Sequence, residues 1–213
     1  KNAVDIGAVC VLARCIIEIY NAAIYFLEPR LSPHEAHMRL HLFLLNHSTD
    51  LARINERLGM PERNEWAIGF RAWSVSELKG NPVFAALDEL HQKNLLRGKW
   101  PYAHNRYSGQ RLLASEVESG LYTLFSQSTH SFSIAIPGTS GGQATPAGRE
   151  NSLLLAADAS ALYLSSFGLH YWKLRNRAIK KFLADERQLL EEQARPERLL
   201  ARLKEIKGRG ALL

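Results

Sequence analysis

Residues 9 to 27 read VCVLARCIIEIYNAAIYFL, a nearly unbroken apolar run interrupted by Arg14, Glu18 and Asn21. A segment this apolar has to bury most of its surface. Charges within it are tolerated only when paired and hydrogen-bonded, because an isolated buried charge costs several kcal/mol. At about 100° per residue, positions 14, 18, 21 and 25 lie within about 60° of one another, so Arg14, Glu18, Asn21 and Tyr25 form one polar stripe, with Gly7 on the same face. The remaining surface is apolar all round, the pattern of a central helix. Each charge near the middle of a membrane span costs about 2.5–3.5 kcal/mol, and both Arg14 and Glu18 sit there. The expectation is therefore a helix buried in protein, with no stable membrane insertion.

The stripe needs partners, and the rest of the chain is long enough to supply them. With 213 residues, 46% hydrophobic and 23% charged, the sequence supports one full core. The first helix covers about residues 3 to 27 and stops at Glu28-Pro29. A second opens at Ser32-Pro33 and ends at Gly59. Residues 60 to 79 read as irregular, with Trp66 and Trp73 as packing anchors. A third helix is expected over about 82 to 96, a fourth over 108 to 129, a fifth over 151 to 193, and a short sixth after Pro196. Between the fourth and fifth, SFSIAIPGTSGGQATPAGR (131–149) alternates as a strand does and then breaks into Pro, Gly, Ser and Thr. The fold class is mainly α: a bundle of about five to six helices with a strand-like or loop excursion at 131–149. One domain at 1–193 and a charged extension at 194–213 are expected. Lys1 opens the chain without Met, so an upstream segment is expected too.

The fourth helix offers the stripe its counterpart, with Tyr122, Ser126 and His130 recurring every four residues. Ser126 and His130 do not make a hydrolase pair, since no glycine elbow surrounds the serine. His34, His37 and His41 share a face of the second helix, but no H-E-x-x-H motif accompanies them and Glu35 points elsewhere, so neither a metal nor a cofactor is expected. The net charge is +6. The basic excess concentrates at KLRNRAIKK, which brings Lys173, Arg175, Arg177, Lys180 and Lys181 together with no acid, either a solvated face or a nucleic-acid contact. Cys10 and Cys15 diverge on the first helix and read as free buried thiols in a reducing, cytoplasmic compartment.

ARCIIEIYNAAIYFL near the start and LYTLFSQSTHSF on the fourth helix resemble a group of bacterial helical proteins of unknown function. In these proteins an early helix carries R-x3-E, and a later one carries S-x3-H leading into a loop. That group is similar in turn to HEPN domains, helical bundles of which many are metal-independent ribonucleases of toxin–antitoxin and antiviral systems and are commonly dimers. The likeness covers residues 8 to 27 and 118 to 170. It departs from the HEPN R-x4-6-H motif, because Arg175-Asn176 is followed by Lys180 and not by histidine. Arg30 and His37 meet the bare spacing but straddle a proline-marked helix start. The resemblance implies His130 as general base, with Arg14 against a scissile phosphate and Glu18 beside it.

Two readings stand at this point. The first is a HEPN-like effector in bacterial defence that acts on RNA or a nucleotide. Its catalytic candidates are His130, Arg14 and Glu18, and its binding candidates are Asn21, Tyr122, Ser126, Lys173, Arg175, Arg177 and Lys180. The second is a non-enzymatic scaffold in which the stripe satisfies itself, and Leu189, Leu190, Leu199, Leu200 and Leu203 form an exposed seam for another helix.

Overall fold

A computed structural model describes residues 6–28, 31–103, 111–129, 146–175 and 184–208. These residues are mainly helical and hold no β-strand. In chain order the helices are α1 (Ile6–Phe26), α2 (Pro33–Arg57), α3 (Glu65–Lys79), α4 (Pro82–Ala85), α5 (Glu89–Leu95), α6 (Ser115–Thr129), α7 (Pro146–Arg175), α8 (Ala184–Gln193) and α9 (Glu197–Gly208), with a 3-10 turn at Pro61–Asn64. The chain groups into two compact units, one of residues 1–24 and 110–213, the other of residues 25–109.

The first unit is a helical bundle built on α1. Cys10, Ala13, Ile17, Tyr20 and Ile24 alternate spacings of three and four and so face one side. They enter a core with Leu121 and Phe125 of α6, Leu155, Ala156, Ala159, Leu162 and Tyr163 of α7, and Leu199 and Ile206 of α9. The α1 surface is not buried all round as its composition suggests: Leu12 and Ile19 are each 62% exposed, and Cys15 is exposed where a buried thiol was expected. Ile6–Leu27 and Glu150–Lys173 are long and apolar enough to cross a membrane by length and composition. The fifth helix expected over 151–193 is α7 and α8, with residues 176–183 outside the description. Of the excursion, residues 131–145 also lie outside it, whereas 146–149 form the first turn of α7, where Pro146 fits the opening position.

The segment after Pro196 is anchored in the core. Asp158 of α7, its side chain 5% exposed, pairs with Arg198 at 3.0 Å and with Arg202, while Leu199 is buried and Leu200 and Leu203 pack against the core. Leu199, Leu200 and Leu203 of the proposed seam are thereby spent inside the protein, while Leu189 is 56% exposed.

The second unit buries Met38, Leu42 and Leu45 of α2 with Leu78, Phe84, Leu95 and Ala103. Ser32 caps α2 as its sequence indicates, its hydroxyl accepting from the Glu35 amide at 3.1 Å. Residues 65–79, expected to be irregular, are the regular helix α3. Its inward face uses Ala67, Ser74 and Leu78, while Trp66, Ile68 and Trp73 point outward, so apolar periodicity misplaced it. The single helix expected at 82–96 is interrupted because Asn81 and Asp88 each cap a new start: the Asn81 carboxamide oxygen accepts from Val83 and Phe84, and the Asp88 carboxylate from His91.

Candidate functional site

The polar stripe of α1 meets α6 and α7 in a hydrogen-bonded network within the first unit. The Tyr122 hydroxyl donates to Glu18 Oε1 at 2.6 Å, and Arg14 donates to that hydroxyl at 3.0 Å and to Glu18 at 3.3 Å. The guanidinium also lies over the Tyr122 ring, 5.0 Å from its centroid. Burial lowers the Arg14 pKa, but the hydrogen bond to Tyr122 and the charge of Glu18 outweigh it and leave it raised. Arg14 therefore stays cationic. Its side chain is 23% exposed and that of Glu18 33%, so the pair sits at the rim of the core.

One turn further along α1, Asn21 donates to Glu118 Oε1 at 3.2 Å, and the Tyr163 hydroxyl donates to Glu118 Oε2 at 2.7 Å. Glu118 is 1% exposed and lies in the first turn of α6, where the helix dipole favours an anion. Tyr20 stacks edge-on against Tyr163 at 5.2 Å and His170 at 6.3 Å. Its buried hydroxyl has no hydrogen-bond partner among the described residues. Burial, and then the charge of Glu118, push the Tyr20 pKa up to about 12.

A folded-state pKa above the ordinary tyrosine value of about 10 means that the unfolded chain ionises first. The contribution to stability is whole below pH 10 and is lost as pH rises towards 12. Tyr20→Phe removes both this loss and an unpaired buried hydroxyl. At pH 7 it is expected to leave the Tm unchanged or raise stability by up to about 1 kcal/mol, and thermal melts between pH 10 and 12 should show a flatter decline. A Tyr20→Phe protein less stable than the parent at pH 7 would show that the hydroxyl has a partner.

Of the residues selected from sequence, the structure brings Arg14, Glu18 and Tyr122 into contact and places Asn21 in the adjoining cluster. Ser126 is turned away from that chemistry, since its hydroxyl donates to the Tyr122 carbonyl of its own helix at 2.6 Å. Tyr25, assigned to the stripe, belongs to the second unit, where its hydroxyl accepts from the Ala103 amide. Lys173 is exposed near the end of α7, and Arg175 is the last residue of that helix. His130, Arg177 and Lys180 lie outside the described residues.

Sequence reasoning missed Glu118, Tyr163 and Arg39. Glu118 and Tyr163 are isolated polar residues whose only signal is an inward position at helical spacing. Arg39, 5% exposed, donates to the Tyr25 carbonyl, to Glu28 at 2.7 Å and to Glu35, with Tyr25 under its guanidinium at 4.3 Å. Glu35, set aside as a metal ligand, is thus occupied by Arg39. Comparison of the chain with family models, curated proteins and solved structures finds no match.

Proposed function

We propose that the first unit is a HEPN-like module acting on RNA or a nucleotide, in a cytoplasmic effector of bacterial defence. The observation that carries this reading is the Arg14 guanidinium, held between Glu18 and the Tyr122 hydroxyl at the partly exposed rim of α1 and α6. A cation fixed in place by a carboxylate and a phenol is preorganised for a phosphate. The basic residues Lys173, Arg175, Arg177 and Lys180 extend the positive charge for a polyanion. Dimerisation with a second copy is part of the reading, and the exposed apolar stripe of Leu12, Cys15 and Ile19 on α1 supports it.

His130 follows the last residue of α6 and acts as general base. The 2′-hydroxyl gives its proton to the imidazole and its oxygen bonds to the adjacent phosphorus. The 5′-oxygen then leaves, taking a proton from solvent. Arg14, bonded to Tyr122, holds a substrate phosphate, and Glu18 positions the guanidinium.

The test is incubation of the purified protein with mixed RNA in EDTA beside Arg14→Ala and His130→Ala. Metal-independent cleavage is expected from the parent. Loss of at least about a hundredfold is expected for His130→Ala, and a smaller loss, mainly in KM, for Arg14→Ala. Absence of cleavage and of RNA binding by the parent overturns the proposal in favour of the scaffold reading. That alternative has its own support in the network, where Glu18 and Glu118 each accept two hydrogen bonds from within the protein.

A further inference from the structure

The second unit carries a cluster that the foregoing function does not use. His37 and His41, one turn apart on α2, meet Glu77 of α3, and one donor atom from each lies within 4.8 Å of the other two. His37 Nε2 stands 3.4 Å from Glu77 Oε2, and the two imidazoles lie with centroids 4.4 Å apart. Donors bound tetrahedrally at about 2.1 Å are themselves about 3.4 Å apart, so the His37 to Glu77 separation already equals one edge of a zinc coordination polyhedron. Two histidines at i, i+4 offer two ligands from one helix face. The sequence alone shows those two, and the fold supplies the carboxylate from thirty-six residues onward in the chain (Glu77 from His41).

The second observation is His41 itself. It is 1% exposed, and its Nδ1 is buried without a hydrogen-bond partner among the described residues. A buried polar nitrogen left unpaired is destabilising, and a metal ion or a metal-bound water would remove that cost. The surroundings hold the ligands in place. The Trp73 indole donates to the other carboxylate oxygen of Glu77 at 3.1 Å and sets its ring edge-on to His41 at 4.7 Å, the kind of outer contact that orients metal ligands. His37 and Glu77 also line a cavity of about 390 Å³ that His34, Ser76 and Asn81 share, so the cluster has an entry path from solvent.

We propose that His37, His41 and Glu77 form a binding site for a divalent transition-metal ion, zinc by ligand type, with its remaining coordination positions open to this cavity. His37 and Glu77 contribute from the partly exposed side and His41 closes the site from the core. The proposal is independent of the ribonuclease reading, which concerns the other unit and is assayed in EDTA.

The test uses the full chain stripped of metal and titrated with Co²⁺ and Zn²⁺, followed by visible absorption and calorimetry. One equivalent is expected to bind with a cobalt d–d spectrum of low coordination number, and zinc is expected to raise the Tm. His37→Ala at an exposed position and Glu77→Gln at a half-buried one, both checked for folding by circular dichroism, are each expected to weaken binding by at least about tenfold and to reduce the Tm rise. Absence of saturable binding at one equivalent overturns the proposal. Undiminished affinity in either variant does the same, because binding then belongs to other histidines.

Discussion

Replacing Glu118 by alanine is expected to destabilise the first unit by about 2–4 kcal/mol, read as a lower midpoint of urea unfolding followed by circular dichroism. The carboxylate is fully buried and accepts from the Tyr163 hydroxyl and the Asn21 amide. Alanine removes this acceptor from both donors, and Tyr163, 0% exposed, is shut off from water. Each orphaned donor costs about 1–3 kcal/mol. An opposing effect is the relief of burying a charge, which in some proteins makes removal of a whole buried pair neutral. Here only the acceptor is removed, so the orphaned donors decide the sign. Glu118→Gln keeps an acceptor oxygen of the same reach and is expected to cost about 1 kcal/mol, since the tyrosine hydroxyl can rotate to meet the new amide. Equal stability of the alanine variant and the parent would mean that the network is solvated and not a structural tie.

Glu118 also shows where sequence reasoning ran out. The polar stripe on α1 was legible because an unbroken apolar background makes Arg14, Glu18 and Asn21 conspicuous and helical geometry fixes which of them share a face. Their demand for partners was legible on the same physical ground, and Tyr122 was found because its spacing from Ser126 drew attention to that face of α6. Glu118 is one turn earlier on the same face, yet it stands among Glu116 and Ser119 in a polar stretch of the expected fourth helix that reads as a solvated face. Nothing local distinguishes a buried acid from an exposed one. Helix α3 failed for the complementary reason. Two of its three buried positions are Ala67 and Ser74, small residues that carry almost no hydrophobic signal, while Trp66, Ile68 and Trp73 carry a large one and face outward. The metal cluster was half legible: the histidine spacing on α2 is local, but Glu77 arrives only when α3 packs against α2, and α3 was the helix that apolar periodicity misplaced.

The second large effect is expected at Gly98, and the control is Gly59. Each follows a helix and each adopts a left-handed backbone, φ 69° and 70° respectively. In sequence the two are equivalent helix stops, and the intrinsic penalty for an alanine in this conformation is about 1–2 kcal/mol at either. Their surroundings separate them. A Cβ at Gly59 meets nothing within 4 Å, whereas one at Gly98 would lie 2.3 Å from Thr49 Oγ1 and 3.1 Å from the Leu45 carbonyl oxygen. Thr49 cannot simply swing aside, because its hydroxyl donates to that same Leu45 carbonyl at 2.7 Å. The loop cannot lift away either without stretching the bond from the Asn46 amide to the Gly98 carbonyl at 2.9 Å. Overpacking of this kind adds about 1–3 kcal/mol. Gly98→Ala is therefore expected to cost about 2–5 kcal/mol against about 1–2 for Gly59→Ala, measured as the difference in unfolding free energy between the two variants. Adding Thr49→Ala to Gly98→Ala removes the nearer clash but not the backbone oxygen, so the double variant should recover part of the loss and not all of it. Equal costs for the two single variants would mean that α2 and the chain after α5 separate easily, and the close approach at Gly98 would then contribute nothing to holding the second unit together.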